Sequence, residues 1–381
     1  MDAKIIEEYI NDLGKQEDEF KNNLTALIET KSNLKNRLSF LRVLFFSMKD
    51  YVHLLLLLYF KKEVMKKKNI VYTLKNFCII DDQDQYFDRI IKPIHLKNVL
   101  FINYGKQYLI PKINNKKVYN IGSIVHILSK FISKTHSKKM RVFLAYRKIN
   151  NSILKKLNGN KVYTLCYYDL NGLSLCFSKL RKNIELIEVQ HGSIINYPPY
   201  VKPSPLKVID TFYVKNNQTA VFLKEHLCLN FSTSYKLLPY EKGETVFKEG
   251  TYILYASTIE FNGFHDVFKS FLKSNTLRNL HVIVRLHPRE KNKKDVFKSV
   301  LEAYKTTYEF DESENWITGN KVRNLIVVSP WSSTIEDSYD NGFKTIIIDK
   351  VGEKRFQHLI DNKMCFYSSN LEKTILNTLN D

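Results

Sequence analysis

Asn324-Leu325-Ile326-Val327-Val328-Ser329-Pro330-Trp331-Ser332-Ser333-Thr334-Ile335-Glu336-Asp337 is the stretch from which the fold can be read. Asn324–Val328 is a short apolar run that reads as a strand. Pro330 closes it. Ser332, Ser333 and Thr334 then bring hydroxyls to the point where a helix starts, near Thr334. Ser332 or Ser333 can cap that helix, with Glu336 at or near the position that completes a capping box. Strand, turn and helix in direct succession form the repeating unit of a parallel sheet covered by helices.

The same alternation extends outward in both directions. Upstream lie the expected strands Tyr252–Ala256 and His281–Arg285, with helices near Asp266–Leu272 and Lys294–Tyr304. Downstream lie the strand Thr345–Ile348 and the helix Leu371–Leu379. A polar connection, Leu238–Glu244, separates this series from an earlier one. The earlier strands are read at Ile70–Leu74, Val99–Asn103, Arg141–Ala145, Val162–Tyr167, Glu185–Val189 and Thr211–Val214. Helical segments fall at Ile121–Ser133, Ile153–Leu157 and Gly172–Leu180. The expected fold class is therefore α/β, with two doubly wound domains, 66–245 and 246–381. Ligands of such domains bind beyond the carboxyl ends of the strands.

Residues 1–65 read differently. Ile6, Ile10, Leu13, Phe20, Leu24, Leu27, Leu34 and Leu38 recur at helical spacing. Glu17, Lys31 and Gly14 interrupt the seam, which leaves a broken coiled coil or a helical hairpin packed on the body. Phe40–Phe46 and Tyr51–Phe60 are apolar, but Arg42, Lys49, Asp50 and His53 break the run. A membrane-spanning helix is excluded on that ground. Lys61, Lys62, Lys66, Lys67 and Lys68 follow at once, a pattern that suits either a buried helix with a solvated end or a helix lying on an anionic leaflet. The segment is thus a candidate contact for a membrane surface or for a second copy of the chain.

The chain has 381 residues, with 59 Lys and Arg against 39 Asp and Glu, a net charge of +20. Its hydrophobic fraction of 44% is enough for packed cores and excludes a disordered chain. The five cysteines, Cys78, Cys166, Cys176, Cys228 and Cys365, form no CxxC pair. Reduced thiols in a cytoplasmic setting are expected, and the first twenty residues lack the apolar core of a signal peptide. Lysines spread along the whole chain, with no RNP, KH or zinc-finger pattern, argue against a nucleic-acid partner.

Three constellations carry possible chemistry. Glu188-Val189-Gln190-His191-Gly192 sits at the end of a strand, where His191 can take up a proton near neutral pH and Gly192 permits a tight turn. Arg285-Leu286-His287-Pro288-Arg289 ends another strand and gathers positive groups. Ser332, Ser333 and Thr334 lie at a helix start, where backbone N–H groups and the helix dipole favour phosphate. Each has a plain structural alternative: loop packing for His191, a strand stop for His287, capping for the hydroxyls.

In this order and placement the motifs resemble the GT-B-fold glycosyltransferases of bacterial surface polysaccharide synthesis. That group includes sialyltransferase-like and Kdo-transferase-like enzymes and CDP-glycerol glycerophosphotransferases. The resemblance covers roughly residues 69–370 and leaves out the N-terminal helical segment. It implies an inverting transfer from a nucleotide-sugar donor to a glycan or lipid-linked glycan acceptor. His287 and Arg285 would contact the donor phosphate with Ser332, Ser333 and Thr334, and Ser257 or Thr258 would lie near the nucleotide. His191 would be the general base, with Glu188 supporting it or replacing it. Gln190, Gly192 and Tyr197 would line the acceptor side. The related sialyltransferases carry an acidic residue before the glycine where this chain has His191, which is closer to the glycerophosphotransferases. A CDP-linked polyol-phosphate transferase is therefore the alternative enzyme, and a basic nucleic-acid-binding or non-catalytic scaffold protein the alternative class. No Asp-x-Asp is read here as a metal–diphosphate clamp, so neither a metal nor another cofactor is expected. Peripheral attachment at the inner face of the cytoplasmic membrane is the expected location.

Overall fold

A computed structural model describes residues 6–12, 15, 69–73, 94, 99–104, 112–113, 116–156, 161–164, 167–190, 193–194, 208–226, 233–238, 249–274, 277, 280–312, 322 and 324–380. The chain divides into two compact units, each with its own sheet.

The first sheet holds β1 (Asn69–Thr73), β2 (Val99–Asn103), β3 (Lys112–Ile113), β4 (Lys116–Asn120), β5 (Lys161–Thr164), β6 (Glu185–Val189), β7 (Thr211–Val214) and β8 (Ser234–Leu237). Their spatial order is β3-β4-β2-β1-β5-β6-β7-β8. Every pairing is parallel except β3 with β4. The chain starts mid-sheet, winds outward through β2 and β4, and returns to wind the other way from β5. This reversal is what makes the unit doubly wound.

Its helices include α1 (Gly122–Lys130), α2 (Lys138–Lys156), α3 (Leu170–Cys176) and α4 (Asn217–His226). The expected strand Arg141–Ala145 is wrong, because those residues lie inside α2. Met140, Phe143, Tyr146, Ile149 and Ile153 are all buried. They step by three and four, so the helical period outweighs the local β-preference of Val142 and Phe143. The strand expected to run to Tyr167 ends at Thr164, and Asp169 caps α3 by accepting from Gly172 N at 2.7 Å. A helical stretch at residues 6–12 packs on this unit through Ile6, Tyr9 and Ile10, with the Tyr9 ring 6.2 Å from that of Phe177. This part of the N-terminal segment is helical as read. The apolar and lysine-rich run at residues 40–68 lies outside the described residues.

The second sheet holds β9 (Thr251–Ala256), β10 (Leu280–Arg285), β11 (Thr307–Phe310), β12 (Leu325–Ser329), β13 (Lys344–Ile347) and β14 (Phe366–Tyr367). Their order is β11-β10-β9-β12-β13-β14, and all pairings are parallel. The helices that cover it include α5 (Asp266–Ser274), α6 (Lys294–Ala303), α7 (Thr334–Asp340), α8 (Lys350–Arg355), α9 (Gln357–Asp361) and α10 (Leu371–Asn380). Alternation along the strands sends Ile253, Tyr255, Val282, Val284, Ile326 and Val328 to one face, against Phe268, Phe297, Leu301 and Ile375. Leu254, Ala256, Ile283, Leu325 and Val327 go to the other. Each fully buried side chain of this kind contributes about 1.5–3 kcal/mol. The whole of β12 is buried, which explains why its sequence is a continuous apolar run.

Both units are doubly wound α/β domains, the pair of Rossmann-like domains expected of a GT-B chain. In the second unit the winding reverses between β9 and β12. The loops leaving those two strands therefore diverge over a crevice at the carboxyl edge, the place where such sheets bind ligands.

Candidate functional site

Ser329, the last residue of β12, ties the two sides of that crevice together. Its hydroxyl donates to Ala256 O on β9 at 2.8 Å and accepts from Ser332 N at 3.0 Å. Ser332 Oγ in turn accepts from Thr334 N at 3.3 Å and lies 3.0 Å from Thr334 Oγ1. The loop is thus a chain of side-chain turns, each hydroxyl holding the next backbone N–H. Ser333 is the N-cap residue of α7 but makes no side-chain capping bond, so the local bond to the helix start comes from Ser332.

On the β9 side, Ser257 is buried and its hydroxyl is committed twice. It donates to Glu290 Oε2 at 2.6 Å and accepts from His287 N at 2.8 Å. Glu290 N donates back to His287 O at 2.7 Å, and Lys293 Nζ reaches Glu290 Oε1 at 3.2 Å. This Ser257–Glu290 pair fixes the backbone of His287 at the carboxyl end of β10. Burial raises the Glu290 carboxyl, and the bonds from Ser257 and Lys293 oppose that rise. Thr258 is also buried, with no partner for its hydroxyl among the described residues. Arg285 is paired with Asp311, its guanidinium 2.6 Å from the carboxylate. Its charge is therefore partly spent within the fold.

Another pair joins the loop after β9 to the loop after β13. His265 Nδ1 accepts from Val267 N at 3.2 Å, which leaves Nε2–H to donate to Asp349 Oδ2 at 3.2 Å. Asp349 also caps α8 by accepting from Val351 N and Gly352 N. Burial works against the Asp349 anion, but the bonds from His265 and the two backbone amides outweigh it and hold the carboxyl below its usual value. Between these loops Trp331 Nε1 donates to Glu260 Oε2 at 3.2 Å, with Phe261 at 5.1 Å on one ring contact and the Arg355 guanidinium 5.3 Å from the ring centre.

In the first unit Glu188 is 1% exposed near the end of β6. Its Oε2 accepts from Tyr167 N at 2.9 Å, and Oε1 is buried without a partner among the described residues. Burial pushes its pKa well above the ordinary carboxyl value; the Tyr167 amide counters this and Asp169 adds to it. Gln190 is buried and accepts from Lys215 N at 2.8 Å, so it braces the loop after β7. His191, Gly192 and Tyr197 lie outside the described residues.

The structure thus brings Ser257, Thr258, His287, Ser332, Ser333 and Thr334 to one edge of one sheet. Arg285 is at that edge but engaged with Asp311. Sequence reading missed the bracing roles of Ser329, Glu290 and the His265–Asp349 pair. Glu290 follows His287 by three residues, and Asp349 follows the strand ending at Ile347, so position at strand ends was the signal in both cases.

No protein-family model matches the sequence, and no curated protein matches it either. Solved structures with a similar course of the chain include a UDP-GlcNAc 2-epimerase from Neisseria meningitidis bound to UDP-GlcNAc. It is 9% identical over 82% of this chain and 91% of its own, with a TM-score of 0.47. A glycosyltransferase from Rickettsia africae is 14% identical over 82% of this chain and 88% of its own, at 0.44. The lipopolysaccharide outer core galactosyltransferase WaaB in its apo form is 12% identical over 73% and 80%, also at 0.44. These likenesses are loose, and the reading of the site rests on its own residues.

Proposed function

We propose that the chain is a nucleotide-dependent glycosyltransferase of the GT-B type, with the donor nucleotide at the winding reversal of the second unit. The observation that carries this reading is the convergence there of the Ser257–Thr258 strand end, the braced His287 and the Ser329–Thr334 hydroxyl loop. In the transfer, an acceptor hydroxyl of a glycan or lipid-linked glycan attacks the anomeric carbon of the donor sugar. The new C–O bond forms as the bond to the nucleotide phosphate breaks. The proton passes to His191. Glu188, whose carboxyl pKa burial raises, supports it. Charge growing on the leaving phosphate is met by His287 and by the hydroxyls of Ser332, Ser333 and Thr334, a contribution on the order of 10²–10³-fold for each well-placed donor. The donor we favour is a CMP-linked sugar of sialic- or Kdo-type, and the product a bacterial surface polysaccharide.

Thermal-shift titration with CMP, CDP, UDP and GDP tests this. A ligand at 100 times its Kd stabilises the folded state by about 2.7 kcal/mol. One nucleotide should raise Tm in the wild type and lose that effect in His287→Ala. Stabilisation by none of the four rejects the reading. The His191-Gly192 pair favours a CDP-linked polyol-phosphate donor as the second reading, which a response to CDP alone would bring forward. Transfer with the matching donor should survive EDTA.

A further inference from the structure

α1 ends at Lys130, and Phe131 follows with 82% of its surface exposed, the highest value among the large apolar side chains described. The loop that presents it is braced. Phe131 N donates to Leu128 O at 3.1 Å, His136 N donates to Ser133 O at 3.3 Å, and the hydroxyls of Ser133 and Thr135 are 2.9 Å apart. Ser137 Oγ accepts from Met140 N at 3.2 Å and starts α2. Glu7, on the helical stretch 6–12, accepts from Ser137 N at 3.2 Å and meets His136 Nδ1 at 3.3 Å. The ring is therefore held outward by a fixed loop.

The charged side chains of the loop itself are lysines. Lys130, Lys134, Lys138 and Lys139 are all exposed, and none forms an ion pair among the described residues. Residues 130–139 contain no Asp or Glu. Among the described residues Glu7 reaches the loop, where it is occupied by the Ser137 amide and His136.

We propose that this loop docks the protein on an anionic lipid bilayer. Phe131 enters the boundary between headgroups and acyl chains, and the lysines meet lipid phosphates. A protein partner would call for a contiguous apolar patch of a few hundred Å² within a polar rim. A lone protruding aromatic flanked by lysines is instead the pattern of an interfacial anchor. The surface is separate from the residues assigned to transfer, so it stands or falls independently of that reading.

The test is co-sedimentation of the purified chain with vesicles of phosphatidylcholine alone and of phosphatidylcholine with phosphatidylserine. Binding is expected only to the second, and it should fall as salt rises. Phe131→Ser should weaken it by about tenfold or more, and the pair Lys134→Glu with Lys138→Glu by at least as much. A control pair of exposed lysines in the second unit, Lys354→Glu with Lys373→Glu, should leave binding within about twofold. All the altered side chains are exposed, so at moderate salt, where charge repulsion is screened, Tm should stay close to the wild-type value. Binding that ignores Phe131→Ser, or that the control pair weakens equally, overturns the proposal. So does vesicle binding by none of the forms, or tight binding to RNA or DNA through the same lysines without regard to Phe131.

Discussion

Glu188, which is buried, and Asp349, which is half-buried, are carboxyls perturbed in opposite directions, and each makes a different demand on the pH of the solution. The folded-state value of Glu188 is raised, so its full stability contribution is present below the ordinary carboxyl range and is lost as pH rises through the folded value. Glu188→Gln keeps an acceptor for Tyr167 N and removes the ionisation. The variant should have a higher Tm than the wild type at pH 8 and no such advantage at pH 4, measured by calorimetry. Loss of transfer activity in the same variant would assign Glu188 to the reaction, a trade of stability for function. Asp349 is lowered, so its contribution is present above the ordinary value and is lost as pH falls through the folded one. Asp349→Ala removes a helix cap and the His265 partner together, and denaturant titration near neutral pH should record a cost of about 1–3 kcal/mol. Glu188 could be singled out in the sequence because it stands at the end of an apolar strand beside a histidine and a glycine. Its partner, Tyr167 N, could not, because the contact depends on β5 and β6 lying side by side.

Among the elements, β12 and the loop after it were the most legible, since an apolar run, a proline and three hydroxyls each limit the backbone. α2 was misread at Arg141–Ala145 because a five-residue window shows β-preference while the helical period needs the full Met140–Ile153 span. β8 was read neither as strand nor as helix: its residues are mostly exposed and carry no apolar pattern, and only pairing with β7 makes it a strand. Gly352 illustrates a constraint that sequence cannot show. A Cβ there would sit 1.9 Å from Pro330 O, so α8 packs directly on the backbone of the hydroxyl loop. Gly352→Ala must displace that loop. A loss of about 1–3 kcal/mol is expected from denaturant melts, together with weaker nucleotide binding in the thermal-shift assay. Ser329→Ala should give a similar pairing of losses, because it frees both Ala256 O and Ser332 N inside the crevice.

At the scale of the whole molecule, the charge of +20 sets up self-repulsion that salt screens. Tm should rise between low and moderate ionic strength in calorimetry, while vesicle binding falls over the same range; a Tm that is insensitive to salt would show that the lysines are too widely spaced to repel. The number of sheets and their α/β class were legible in the sequence because alternation of strand and helix survives local errors. Which strand lies beside which was not, since order depends on how helices cross the sheet and leaves little trace in composition. That order has a consequence for biosynthesis. Strands of the first sheet come from residues before 238 and those of the second from residues after 250. Strand pairing in the first sheet can therefore be complete while the ribosome is still adding the residues of the second. The nascent chain need not hold unpaired edges of the first sheet open until synthesis ends, which shortens the interval in which a slow-folding parallel sheet is exposed to aggregation.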